Sequence, residues 1–410
     1  MRQALALFTA LLAFCAVGAS PAEVASPATA GLEAYFGKRS YAPGSTAWLA
    51  VRSSSRSLTV EVYRAGGEQG RTRGRSTLRG LRVMPKFVVR WRRDGGGSVP
   101  VRLQYWPSGL YFARVRAGGG IYFAPFVLRA KPNIRSRVAV VMPTNTWQAY
   151  NFRDDDGDGI PNTWYANEAV TTVDLSRPFL DRGVPPHFRA YDLGFIRWLT
   201  LTGKTPDFLA EEDLERTGAR GLLARYDLIV FPGHHEYVTD REYNAVEGYR
   251  NLGGNLMFLS ANNFFRRVVR SGDLITRAEQ WRELGRPESR WLGVQYVDWN
   301  LYAYGNQPFL VVGRHAAPWF FRKTGLQNGS RFGRFGIEID ARTAFSPPGT
   351  RVLATLPDIF GPGKTGEMTY HTTPSGAKVF SAGAFTLGGA ALVPPMRQLV
   401  ANLWEELSRP

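Results

Sequence analysis

The chemistry this sequence offers centres on Gly233-His234-His235-Glu236-Tyr237. His234 and Glu236 are two residues apart, so on an extended segment their side chains point the same way. Together they suit a metal ligand set, or a general base with the group that orients it. A hydrogen-bonded loop that only stitches a sheet edge is the plainer alternative. Two further polar-aromatic segments match it in character: Pro143-Thr144-Asn145-Thr146-Trp147-Gln148-Ala149-Tyr150-Asn151 and Ser260-Ala261-Asn262-Asn263-Phe264-Phe265. A separate acidic run offers other chemistry. Asp154, Asp156, Asp158, the Ile160 carbonyl and Asn162 match the first five ligand positions of a calcium loop, with Gly159 at the tight turn. Position twelve, where such loops carry a bidentate Glu, is Tyr165, so the pattern is either a shortened Ca²⁺ site or an acidic turn.

Buried strands must position these segments. Arg137 to Met142, Tyr226 to Phe231, Asn255 to Ser260 and Lys378 to Ala382 are short apolar runs of the kind that strands covered on both faces show. Helices are expected over Phe195 to Leu201, Arg241 to Leu252 and Pro395 to Leu407. Alternating strands and helices predict an α/β fold with a mainly parallel sheet over residues 135–407. Ligands of such sheets bind at the carboxyl ends of the strands, where all three polar-aromatic segments lie. Residues 32–130 differ. Trp48-Leu49-Ala50-Val51 and Leu58-Thr59-Val60-Glu61-Val62, separated by Gly and Pro turns, predict an immunoglobulin-like β-sandwich, with a long exposed loop over 66–96.

Residues 1–19 read as a secretory signal: Arg2, an apolar run from Ala4 to Val17, then the small residues Gly18 and Ala19. Residues 20–31 read as a flexible leader rich in Ala, Pro and Ser. The expected location is therefore secreted or extracytoplasmic. The single cysteine, Cys15, lies inside the signal, so neither a disulfide nor a thiol nucleophile is expected after cleavage. The net charge of +17 suits adhesion to an anionic envelope. The basic residues are scattered and form no nucleic-acid motif, and no later stretch is apolar enough to span a bilayer. Gly-x-Ser-x-Gly is absent, and Gly363-Lys364-Thr365 lacks the opening glycine of a phosphate loop, since position 358 is Asp. The oligomeric state is not legible in the sequence.

Six motifs occur in order: Thr146-Trp147-Gln148-Ala149-Tyr150-Asn151, Asn162-Thr163-Trp164-Tyr165, Ser176-Arg177-Pro178, Gly233-His234-His235-Glu236-Tyr237, Gly253-Gly254-Asn255 with Asn262, and Glu367-Met368-Thr369-Tyr370 with Ser375-Gly376-Ala377-Lys378-Val379-Phe380. In that order they resemble the C-terminal domain of the N,N-dimethylformamidase large (beta) subunit-like family. The resemblance implies a glutamine-amidotransferase-like α/β domain and a mononuclear iron, Fe(III), held by two tyrosinates and a glutamate. Carried over by motif, the ligands are Tyr150, Tyr165 and Glu236, with Tyr191 as the alternative second tyrosine. The same carry-over makes His234 and Glu367 the catalytic proton-handling groups and Asn262 the substrate-orienting amide. Without it, Tyr150 and Tyr165 read as ordinary aromatic packing. The implied reaction is hydrolysis of a non-peptide C–N amide bond. Export argues against a small internal solvent as substrate and for a small-molecule or envelope amide. A non-catalytic envelope-associated protein that kept the fold, stabilised by Ca²⁺, is the alternative from another class.

Overall fold

The structure is a computed structural model describing residues 31–67, 78–91, 95–131, 136–300 and 306–409. The signal over 1–19 and all but the last residue of the leader over 20–31 lie outside the described residues, as do 68–77 and 92–94 of the expected long loop.

Residues 32–128 form two sheets around one core. The three-stranded sheet pairs Leu32–Phe36, Thr46–Ser53 and Gly97–Arg102. The six-stranded sheet is built on Ser57–Arg64, Gly109–Ala117 and Gly120–Leu128. Period-two alternation explains the first sheet: Ala47, Leu49 and Val51 turn inward while Trp48 faces solvent. Part of the expected loop is strand, because Leu81–Arg82 and Phe87–Arg90 both pair with Ser57–Arg64. The Gly109–Ala117 strand is buried on both faces. Tyr111, Ala113 and Val115 fill the core between the two sheets. Leu110 and Phe112, with Phe123 and Val127, join the core of the following region, beside Phe188, Phe195 and Phe208. Each such side chain contributes about 1.5–3 kcal/mol by leaving water.

The second region departs from the expected fold. It is not a glutamine-amidotransferase-like α/β unit with a mainly parallel sheet: strands make up 36% of the described residues and helices 18%, and the large sheet is mixed. Five of its eleven strands are parallel, in the order Asp207–Ala210, Val138–Met142, Leu228–Phe231, Asn255–Phe258 and Lys378–Ser381. From there it continues antiparallel through Gly366–Thr372, Arg351–Leu356, Gln307–Val311, Arg331–Ala341 and Gln295–Trp299, with Ala384–Phe385 on Arg331–Ala341. The cause is the way the chain returns. Parallel neighbours need a crossover, which the helices Glu211–Arg225 and Asp240–Asn251 provide. Between Gln295 and Phe385, strand follows strand with no helix among the described residues, and direct returns make antiparallel neighbours. A small four-stranded sheet of Thr172–Asp174, Leu274–Gln280, Arg266–Ser271 and Tyr237–Val238 covers the edge that carries the polar segments. No helix of the described residues is long and apolar enough to cross a membrane.

Candidate active site

Three strand ends and one antiparallel strand converge on a single carboxylate. After Val138–Met142, the short helix Thr144–Ala149 delivers Tyr150 at its end. After Leu228–Phe231, Pro232 to Glu236 runs as an extended loop into Tyr237–Val238. Thr146 Oγ1 ties these two pieces together, accepting the backbone N–H of Glu236 at 3.0 Å and of Tyr237 at 3.3 Å. Arg177 ties the third, and it is 6% exposed. Its guanidinium donates to the carbonyls of Gln148, Asn151 and Asn162, each at 3.0 Å, and so clamps the flank of Tyr150 to the loop that leads to Tyr165.

The Tyr150 and Tyr165 hydroxyls donate to the same oxygen, Glu236 Oε2, at 2.8 and 2.9 Å. Their rings stack with centroids 4.3 Å apart, and the Tyr165 hydroxyl also meets that of Tyr237. Tyr191 stacks on His187, with centroids 5.0 Å apart, and lines a pocket with Tyr150 and His234. Burial first, and the neighbouring Glu236 carboxylate second, push all three phenols of Tyr150, Tyr165 and Tyr237 well above their usual range. Burial also raises Glu236, against the lowering effect of its tyrosine hydrogen bonds. His234 Nε2 lies 3.5 Å from Glu236 Oε2 and has no hydrogen-bond partner among the described residues. Burial, with His187 and His235 nearby, drives the His234 pKa well down, so the ring is neutral with a nitrogen to spare.

The structure brings in Glu338, which sequence reasoning missed. It lies on Arg331–Ala341, and its Oε2 is 3.9 Å from His234 Nε2 and unpartnered among the described residues. Burial, then the charge of Glu236, hold Glu338 well above the carboxylate range, while the Asn262 side chain hydrogen-bonds to it. Asn262 itself sits in left-handed backbone at φ 52°, and donates its N–H to Asp340 Oδ1 at 2.8 Å. The local sequence of Glu338, Gly336-Ile337-Glu338-Ile339-Asp340, carried no signal for this. A carboxylate between two isoleucines in a period-two run reads as the solvent-facing side of a strand, and only the pairing of that strand turns Glu338 inward. Glu367 is not at this cluster. It forms a two-pronged pair with Arg342, Nε at 2.9 Å and Nη2 at 3.0 Å.

His235 faces the opposite way. Its Nδ1 lies 3.2 Å from Glu211 Oε1, and Glu211 Oε2 accepts from Thr144 Oγ1 at 3.1 Å and the Asn145 N–H at 2.6 Å. This fully buried pair supports the strand ends from below.

The acidic loop lies beside the cluster in sequence but differs from it in exposure. Ligand oxygens of Asp154, Asp156 and Asp158 lie within 4.8 Å of one another. Asp154 accepts N–H bonds from Gly157 at 2.7 Å and Gly159 at 2.9 Å. Those two bonds, Gly159 first, lower its pKa. The Asn162 side chain is turned to its neighbours: its carbonyl accepts from the Asp155 N–H and its amide donates to Asp156 Oδ2 at 3.2 Å. The Ile160 N–H donates to Asp158 Oδ1 at 2.7 Å.

Comparison with known proteins agrees with the family resemblance. Residues 59–392 match the model of the family described as N,N-dimethylformamidase beta subunit-like, C-terminal. The chain is 26% identical over 215 residues to the N,N-dimethylformamidase beta subunit of Paracoccus aminophilus; the match covers 43% of this chain and 28% of that relative's length. Among solved structures, an uncharacterised protein from Bacillus anthracis is similar at 14% identity and a TM-score of 0.19, over 23% of this chain and 80% of that one. A superoxide reductase from Ignicoccus hospitalis is similar at 13% identity and a TM-score of 0.16, over 24% of this chain and 78% of that one. Scores so low carry nothing about fold or activity. With more than half of its length matched, the chain belongs to the N,N-dimethylformamidase beta subunit-like, C-terminal family.

Proposed function

We propose that the protein is an exported, metal-dependent hydrolase of a non-peptide C–N amide bond. The observation that carries this is the convergence of two buried tyrosine hydroxyls on one buried glutamate oxygen, beside an imidazole and a second carboxyl with unpartnered atoms. These donors fit a hard cation. Phenols and carboxyls pushed upward by burial release their protons only beside strong positive charge, and phenolate with carboxylate oxygen suits Fe(III). Tyr150, Tyr165 and Glu236 would hold it. Bound there, the ion supplies Lewis-acid polarisation of an amide carbonyl and lowers the pKa of water.

The chain's own groups handle protons and position. Neutral His234, with Nε2 free, accepts a proton from the attacking water. Glu338, kept protonated by burial and by Glu236, gives a proton to the departing nitrogen. Asn262 holds Glu338 in place and offers its free side-chain oxygen to the substrate. Glu367 contributes through its pair with Arg342, as a brace for the strand end that follows Asp340. The same proposal assigns Ca²⁺ to the Asp154, Asp156 and Asp158 loop, supported by the spacing of its oxygens. Asn162 would have to release Asp155 to join it.

Metal analysis and visible absorption of the purified protein test the central claim. An iron-loaded protein with a tyrosinate-to-iron band, hydrolysing small amides, is expected. Protein that stays colourless after reconstitution with ferric salt sinks the assignment.

A further inference from the structure

Residues 32–130 hold eighteen Lys and Arg against four Asp and Glu, a net +14 of the chain's +17, so most of the charge lies on the sandwich. Strand pairing gathers part of it on one surface. Leu58, Val60 and Val62 point into the core, so Thr59, Glu61 and Tyr63 point the other way. Cross-strand partners share a face. Arg116 and Val88 lie opposite Thr59, Arg114 opposite Glu61, and Arg82 opposite Tyr63, while Arg90 lies opposite Ser57. Glu61 is the one acid of this face among the described residues, and Arg82, Arg114 and Arg116 all lie within 4.0 Å of it.

Residues 79–90 form the margin of that sheet, and their exposed side chains are of two kinds. Arg79, Arg82, Lys86 and Arg90 are exposed, and of these only Arg82 pairs with an acid among the described residues. Leu81 and Val88 stand in water among them, 61% and 54% exposed. Charge and proline on an edge strand prevent pairing with other edges. That accounts for the cations and for Pro85, and leaves the two large apolar side chains in water unexplained. An acidic polymer would satisfy the cations and gain nothing from Leu81 and Val88. An anionic bilayer satisfies both kinds: headgroup phosphates take the guanidinium groups, and the interface buries the apolar side chains.

We infer that the sandwich is a docking module for an anionic lipid bilayer, with residues 79–90 as the ribbon that enters the headgroup layer. At the sheet margin the ribbon meets a flat surface edge-on, so side chains of both its faces reach the lipid. The inference does not rest on the proposed amide hydrolysis. The ribbon belongs to the sandwich, and Tyr150, Tyr165, His234 and Glu236 to the second region.

Co-sedimentation tests this with the mature protein, from which the apolar run Ala4 to Val17 has been removed. The probes are vesicles of phosphatidylcholine alone, vesicles of equal parts phosphatidylcholine and phosphatidylglycerol, and soluble labelled polyglutamate. The protein is expected to sediment with the mixed vesicles and not with phosphatidylcholine alone, less so as salt rises. Lys86→Gln with Arg90→Gln should weaken that binding about twenty-five-fold, about fivefold for each charge lost. Leu81→Ser with Val88→Ser should weaken it about tenfold and leave polyglutamate binding, read by fluorescence anisotropy, unchanged. Both pairs should keep the wild-type melting midpoint and amide hydrolysis. Equal sedimentation with the two kinds of vesicle, or with neither, overturns the inference. Vesicle binding that the Leu81 and Val88 pair leaves intact also overturns it, and makes an acidic polymer the partner. The wild-type comparison decides the matter if a variant does not fold. A wild type that binds mixed vesicles and hydrolyses no amide removes the proposed reaction and leaves the docking module.

Discussion

Residues 150–165 contribute to two oxygen-rich clusters, the second completed by Glu236, and burial makes opposite things of them. Asp154, Asp156 and Asp158 sit on an open loop, where backbone N–H groups favour the charged form of Asp154. Tyr150 and Tyr165, with Glu236, are enclosed, and every one of their pKa values is pushed up. In the open cluster the charged form of Asp154 is favoured without any ion. Burial and Glu236 hold the enclosed tyrosines protonated until a strong cation pays for their ionisation, so their properties are tied to metal loading. The number of oxygens does not separate the two; the surrounding dielectric does.

The contrast can be broken at several points. The largest effect should come from Glu236→Gln, which exchanges a carboxylate oxygen for an amide nitrogen and removes the negative charge that both tyrosines address. Iron retention and amide hydrolysis should both vanish, read by elemental analysis and turnover, and full iron content in this variant refutes the ligand set. Glu338→Gln should come next. It should keep its iron and lose about 10²–10⁴-fold in kcat, the usual worth of a positioned proton donor. Wild-type kcat in this variant returns proton delivery to another group. Glu211→Gln disturbs the buried pair beneath the site and should lower unfolding stability by about 1–3 kcal/mol in a denaturant titration. A loss of iron without loss of stability would show that the pair acts on the metal ligands instead. The smallest effect belongs to the open loop. Asp156→Ala, or a Ca²⁺ chelator, should lower the melting midpoint by about 2–4 °C and leave the iron band untouched. An unchanged midpoint argues that the loop holds no ion.

Legibility in the sequence followed range. The helix expected over Arg241 to Leu252 is found at Asp240–Asn251, and the four apolar runs form parallel strands within two residues of the expected limits. Each is specified by its own periodicity and caps, as where Thr239 accepts the Glu242 N–H at the start of that helix. The mixed sheet escaped because direction is a property of pairs of strands, and no single strand encodes its neighbour. Glu338 escaped for the same reason. Its strand alternates legibly, yet what it faces across about a hundred residues of chain depends on the pairing of Arg331–Ala341 with its neighbours. Glu367, legible in its motif, is engaged by Arg342.

The sequence by itself therefore determined the local matters. The apolar runs had to be buried, since their alternatives expose continuous hydrophobic surface. The His234 and Glu236 pair and the acidic loop were marked by residue type and spacing, because their neighbours along the chain are also their neighbours in space, whereas Tyr150 and Tyr165 were marked only by the resemblance. Only the tertiary structure decided that Tyr165 reaches Glu236 and that Glu338 stands by His234. Each of those outcomes rests on desolvation and contact between distant segments, which exist only once the chain has closed around them.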